Sequence, residues 1–92
     1  MAGVKHYQIR VSGKVQGVFF RHNTRKKALE LGINGIVRNE PDGSVYIEAE
    51  GDGDSLAAFL AWCKDGPPLA QVDNLKMEDG LIKKYHSFEI EG

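Results

Sequence analysis

Apolar residues in this chain recur with two different periods, and the order in which those periods alternate restricts the folds open to it. Tyr7-Gln8-Ile9-Arg10-Val11 alternates cleanly, and residues 44–50 do so again, so each reads as a strand. Leu56, Phe59, Leu60 and Cys63 instead fall at i, i+3, i+4 and i+7, the stripe of an amphipathic helix. Asp52 or Asp54 caps its start, and Gly66-Pro67-Pro68 ends it. A first helix is read over residues 21–31, with Thr24, Ala28 and Leu31 inward and Gly32 as its left-handed stop. Gly35-Ile36-Val37-Arg38-Asn39 is a strand, and Pro41-Asp42-Gly43 is a hairpin turn, since proline presets φ and glycine accepts a positive one. Two further strands are expected around residues 71–77 and 86–90.

The order is strand, helix, strand, strand, helix, strand, with an extra strand at the end. That is an α+β, ferredoxin-like split βαβ sandwich: an antiparallel sheet with two helices on one face and water on the other. Residues 1–92 suit a single domain. A composition of 41% hydrophobic and 27% charged residues is that of a soluble globular chain, not a disordered or membrane one. The net charge of −1 supplies no global field for nucleic acid or an anionic membrane, so any anion site must be local. The single Cys63 excludes an intrachain disulfide and a thiolate zinc site, and on its apolar stripe it reads as a buried thiol. His6, His22 and His86 lack ligand spacing, so no metal is expected; the run Arg25-Lys26-Lys27 reads as solvated helix surface, and so does His22, with a place near a site mouth beside Arg21 as its alternative. With no signal-peptide core or apolar span at the N-terminus, the cytoplasm is the expected location.

Chemistry concentrates in Gly13-Lys14-Val15-Gln16-Gly17-Val18-Phe19-Phe20-Arg21, which leads into the first helix. Gly17 permits close backbone approach, and successive N–H groups in such a turn form an anion-binding concavity. The helix start adds free N–H groups and the positive end of its dipole, while Arg21 offers a planar fork matched to phosphate oxygens. A glycine-rich turn before a helix is equally a structural device. Asn39, at the end of its strand, has an amide able to orient water, and it is also the residue type that satisfies a nearby turn. Physics leaves both alternatives open.

The two stretches together are more specific. Gly13-Lys14-Val15-Gln16-Gly17-Val18-Phe19-Phe20-Arg21 and Gly35-Ile36-Val37-Arg38-Asn39-Glu40-Pro41-Asp42-Gly43-Ser44-Val45 resemble the two characteristic motifs of the acylphosphatase family. Gly51-Asp52, Phe59-Leu60-Ala61-Trp62-Cys63 and Gly66-Pro67-Pro68 carry the likeness over most of the chain. The resemblance implies a metal-free and cofactor-free monomeric hydrolase acting on a small acyl phosphate. It places phosphate on the backbone of Val15, Gln16, Gly17, Val18, Phe19 and Phe20 and on the Arg21 side chain, with Asn39 positioning the water. Ile36 stands where the family often has an aromatic residue. It points to the other side of its strand from Val37 and Asn39, so packing rather than chemistry should change.

Two other readings compete: a ferredoxin-like module stacking RNA on its open sheet face, and a degenerate domain that binds a phosphorylated ligand without turnover. Slight negative charge disfavours the first, and the presence of both Arg21 and Asn39 disfavours the second. Hydrolysis should persist in excess chelator, because no divalent-ion ligand cluster is visible in the sequence. Activity lost to chelation and restored by added metal would refute this.

Overall fold

In the computed structural model, which describes residues 3–92, the alternating segment around Ile9 lies within β1 (Lys5–Lys14). It is followed by α1 (Phe20–Leu31), β2 (Asn34–Asn39), β3 (Val45–Gly51), α2 (Gly53–Asp65), β4 (Gln71–Asp79) and β5 (Phe88–Glu91). The strands form one sheet in the order β4-β1-β3-β2-β5. The first four strands pair antiparallel, as the split βαβ reading expects. The fifth pairs parallel with β2, so the sheet is mixed. The reason is the path: between β4 on one edge and β5 on the other, the chain crosses the sheet and reverses. A strand antiparallel to β4 is then necessarily parallel to β2.

Odd-numbered residues of the central strands, Ile9, Val11, Val37, Val45, Ile47 and Ala49, are fully buried with Phe88 against the two helices. The helices contribute Phe20, Thr24 and Ala28 from α1 and Leu56, Phe59 and Cys63 from α2. Leu31, expected inward, is only half-buried. Burial pushes the Cys63 thiol well above its ordinary range, which fits a structural thiol. Of the two candidate caps for α2 the structure uses Asp52, whose carboxylate accepts from Ser55 N–H at 2.8 Å. At the end of α1, Gly32 takes φ 70°, the left-handed stop read from the sequence. Among the described residues no helix is long and apolar enough to cross a membrane.

The face opposite the helices departs from expectation. Residues 80–87 lie across one end of it, and beneath them His6, Glu48 and Glu50 are 2%, 5% and 5% exposed. The crossing begins with Gly80 N–H donating to the His6 carbonyl at 2.9 Å. A Cβ at Gly80 would stand 2.6 Å from His6 Cδ2, so only glycine fits. Glu50 accepts from His6 Nδ1 at 2.7 Å and from the N–H groups of Lys83 and Tyr85 at 2.5 and 2.9 Å. Glu48 accepts from the hydroxyls of Tyr46 and Tyr85, both at 2.9 Å, and pairs with Lys83 Nζ at 2.8 Å.

These buried carboxylates have a pH signature. Burial pushes both upward, but the donors outweigh it and hold each below the ordinary carboxylate value. A depressed folded-state pKa means that the stabilisation is fully present above the unfolded value near 4.5 and is lost as pH falls further. Thermal melts should therefore show Tm dropping below about pH 4.5. Glu50→Gln should cost about 1–3 kcal/mol at neutral pH and flatten that acid limb. An unchanged acid limb in the variant would place the proton uptake elsewhere.

Candidate active site

The end of β1 delivers the chain into residues 15–19, where alternate residues are turned in and out. Val15, Val18 and Phe20 are buried, whereas Gly17 and Phe19 face solvent. Phe20 packs its ring on Trp62 of α2 at 5.8 Å between centroids, fixing the first turn of α1 in the core. Gly17 and Phe19 have φ values of 75° and 62°, left-handed conformations that bend the backbone sharply on itself.

Helix α1 begins without the usual side-chain cap, because its N-cap is Phe19, and its first turn carries no acidic residue. Its first internal bond from this end runs from Asn23 N–H to the Phe19 carbonyl at 3.0 Å, doubled by Asn23 Nδ2 at 2.9 Å. The backbone N–H groups of residues 16–22 make no backbone bond among the described residues. Free backbone donors at the positive end of a helix are groups from which an anion site can be built, and Gly17, Phe19, Phe20, Arg21 and His22 line one hollow there.

The loop is tied to the hairpin by a side chain whose backbone alone the sequence reading had used. Gln16 Nε2 donates to the carbonyls of Glu40 and Ser44 at 2.8 and 2.9 Å. Across the turn, Glu40 N–H donates to the Ser44 carbonyl at 2.8 Å. Asp42 Oδ1 accepts from the Ser44 hydroxyl and N–H at 2.6 and 2.9 Å, which hold its carboxylate below the usual range. The hairpin thereby presents the end of β2 beside the loop.

Loop, helix start and strand end enclose a hollow of about 320 Å³ lined by Val15, Gly17, Phe19, Phe20, Arg21, His22, Asn39 and Ile90. Arg21 and Asn39 are thus brought together from positions 18 residues apart in the chain. Arg10 and Arg38 pair with Glu40, and Arg25 donates to the Phe88 carbonyl, whereas Arg21 has no carboxylate or hydrogen-bond partner among the described residues. Asn39 Oδ1 is buried without a partner, a costly state for an acceptor unless a donor is supplied from the hollow. His22 is exposed and also lines the hollow, so both readings of it, solvated helix surface and a place near the site mouth beside Arg21, hold in part. Among the described residues no three His, Cys, Asp or Glu side chains gather into a metal-sized cluster.

On the sheet face away from the helices, Tyr46 has Arg10 and Arg38 over its ring at 5.2 and 4.6 Å. Burial and the Glu48 carboxylate push the Tyr46 hydroxyl up to about 12, keeping it a neutral donor.

Fold and hollow together define an α+β sandwich with a hollow at the uncapped start of its first helix. The acylphosphatase family model matches residues 7–90, and an acylphosphatase of Archaeoglobus fulgidus is 52% identical over 83 residues, covering 90% of this chain and 93% of that one. Among solved structures, an acylphosphatase from Coxiella burnetii superposes with a TM-score of 0.92 at 41% identity, covering 96% of this chain and 93% of the other. One from Bacillus subtilis gives 0.93 at 34% identity, covering 96% and 99%. The chain belongs to the acylphosphatase family.

If the hollow is an anion site of the folded state, inorganic phosphate should raise Tm in a saturable manner. At about 100 times the dissociation constant the gain is ~2.7 kcal/mol, or several degrees for a domain of this size. A flat titration in wild type would remove the residue 16–22 cradle as the site.

Proposed function

We propose that this chain hydrolyses acyl phosphates to a carboxylate and inorganic phosphate. Its phosphoryl group is held by the backbone of residues 15–20 and by Arg21, and the attacking water is positioned by Asn39. The observation that carries this reading is the company Arg21 keeps: a guanidinium without a counter-ion, in one hollow with unpaired backbone donors and a buried unpartnered amide oxygen.

So few groups suffice because of the leaving group. A carboxylate whose conjugate acid has a pKa near ~4 departs without protonation, so no general acid is needed. In a loose phosphoryl-transfer transition state the remaining work is positioning and stabilising charge on the equatorial oxygens. Arg21 and the loop donors serve the charge, and Asn39 serves the position. Alkyl phosphate monoesters, with a poor alkoxide leaving group, should be turned over far more slowly.

The two residues separate in experiment. Arg21→Ala should weaken phosphate binding and turnover together, whereas Asn39→Ala should lower kcat with phosphate affinity nearly intact. Each loss in turnover should be about 10²–10³-fold, equivalent to ~2.7–4 kcal/mol of barrier. Calorimetric phosphate titration of both variants, after circular dichroism has shown them folded, decides the matter. Equal loss of phosphate in both variants, or full turnover by Asn39→Ala, would overturn this division of roles.

A further inference from the structure

Phe19 combines two unusual features at one position. Its side chain is 70% exposed while its neighbours Val18 and Phe20 are buried, and its backbone sits at φ 62° and ψ 23°. A bulky residue in the left-handed region is a genuine outlier, and such backbone strain concentrates at ligand sites. Here the surroundings hold it in place. Burial of Phe20 fixes the residue after it, and Asn23 grips the Phe19 carbonyl through both its N–H and its side-chain amide. The result is an aromatic ring held on a rigid stem at the edge of the hollow that contains Arg21 and Asn39.

The cradle accounts for only the phosphoryl half of a substrate. The acyl half must project out of it. On its way out of the hollow the acyl half passes the exposed rim, where the Phe19 ring stands. No acidic or lysine side chain lines that hollow, and its other walls include the apolar Val15, Phe20 and Ile90. We propose that Phe19 is the specificity-determining residue for the acyl group, and that its ring selects apolar, planar aromatic acyl phosphates over small aliphatic ones. This rests on the acyl phosphate reading above and extends it from reaction to substrate class. Contact between the ring and an aromatic acyl group adds edge-to-face or offset-stacked attraction to the area that it removes from water.

The test measures kcat/KM for benzoyl phosphate and for acetyl phosphate with wild type, Phe19→Leu and Phe19→Ala. Both substitutions keep an L-residue with a backbone N–H at the strained position, and because the ring is 70% exposed and carries little packing, circular dichroism should show both variants folded. Wild type should favour benzoyl phosphate. The benzoyl-to-acetyl ratio should fall about 10-fold in Phe19→Ala and by less in Phe19→Leu, which keeps apolar bulk. A ratio in Phe19→Ala equal to that of wild type, whatever the absolute rates, overturns the proposal, because the ring then serves only loop geometry. A wild type that hydrolyses neither substrate overturns the underlying reading instead.

Discussion

Burial of Phe20 is the contact on which the site depends. Its ring lies in the core against Trp62, and burying such a side chain is worth roughly 1.5–3 kcal/mol, enough to fix the register of the first helical turn. With Phe20 inside, chain continuity sends Phe19 outward on one side and sets Arg21 into the hollow on the other. An ordinary polar N-cap at position 19 would occupy donors that here stay free. The helix thus begins in an intrinsically poorer way, with a strained aromatic cap, and the packing beneath it holds that start in place.

The sheet has two unlike faces for a related reason. Toward the helices it is dry and apolar, with Ile9, Val11, Val45 and Ile47 fully buried. On the other face the crossing segment covers a histidine and two glutamates. Ion groups removed from water are stabilising only when nearly every lone pair finds a donor, and Glu48 and Glu50 each have three donors between them and the chain above. His6 Nε2 makes no hydrogen bond, although Glu48 Oε1 lies 3.3 Å away. The network fixes the path of residues 80–87, and so the edge at which β5 arrives.

Much of this was legible because it is local. The period change marks helices and strands, Gly32 and Asp52 mark ends, and Pro41-Asp42-Gly43 marks the hairpin that places Asn39. The resemblance of the two motifs to those of the acylphosphatase family singles out Arg21 and Asn39. What was not legible depends on residues distant in the chain. His6, Glu48 and Glu50 fall on the alternating face that pattern alone assigns to water, and nothing near them in sequence announces the segment that covers them. The parallel direction of β5 follows from that same crossing. Gln16 was read for its backbone, since its side-chain partners lie 24 and 28 residues away.

That Gln16 side chain links cooperativity to recognition. One amide group joins the loop after β1 to both ends of the β2–β3 turn, so the turn cannot open by itself without also releasing the loop. Surface hairpin turns commonly fray as independent, low-stability units. Here fraying of the turn breaks the Gln16 hydrogen bonds as well, and so loosens the loop from the hairpin that carries Asn39.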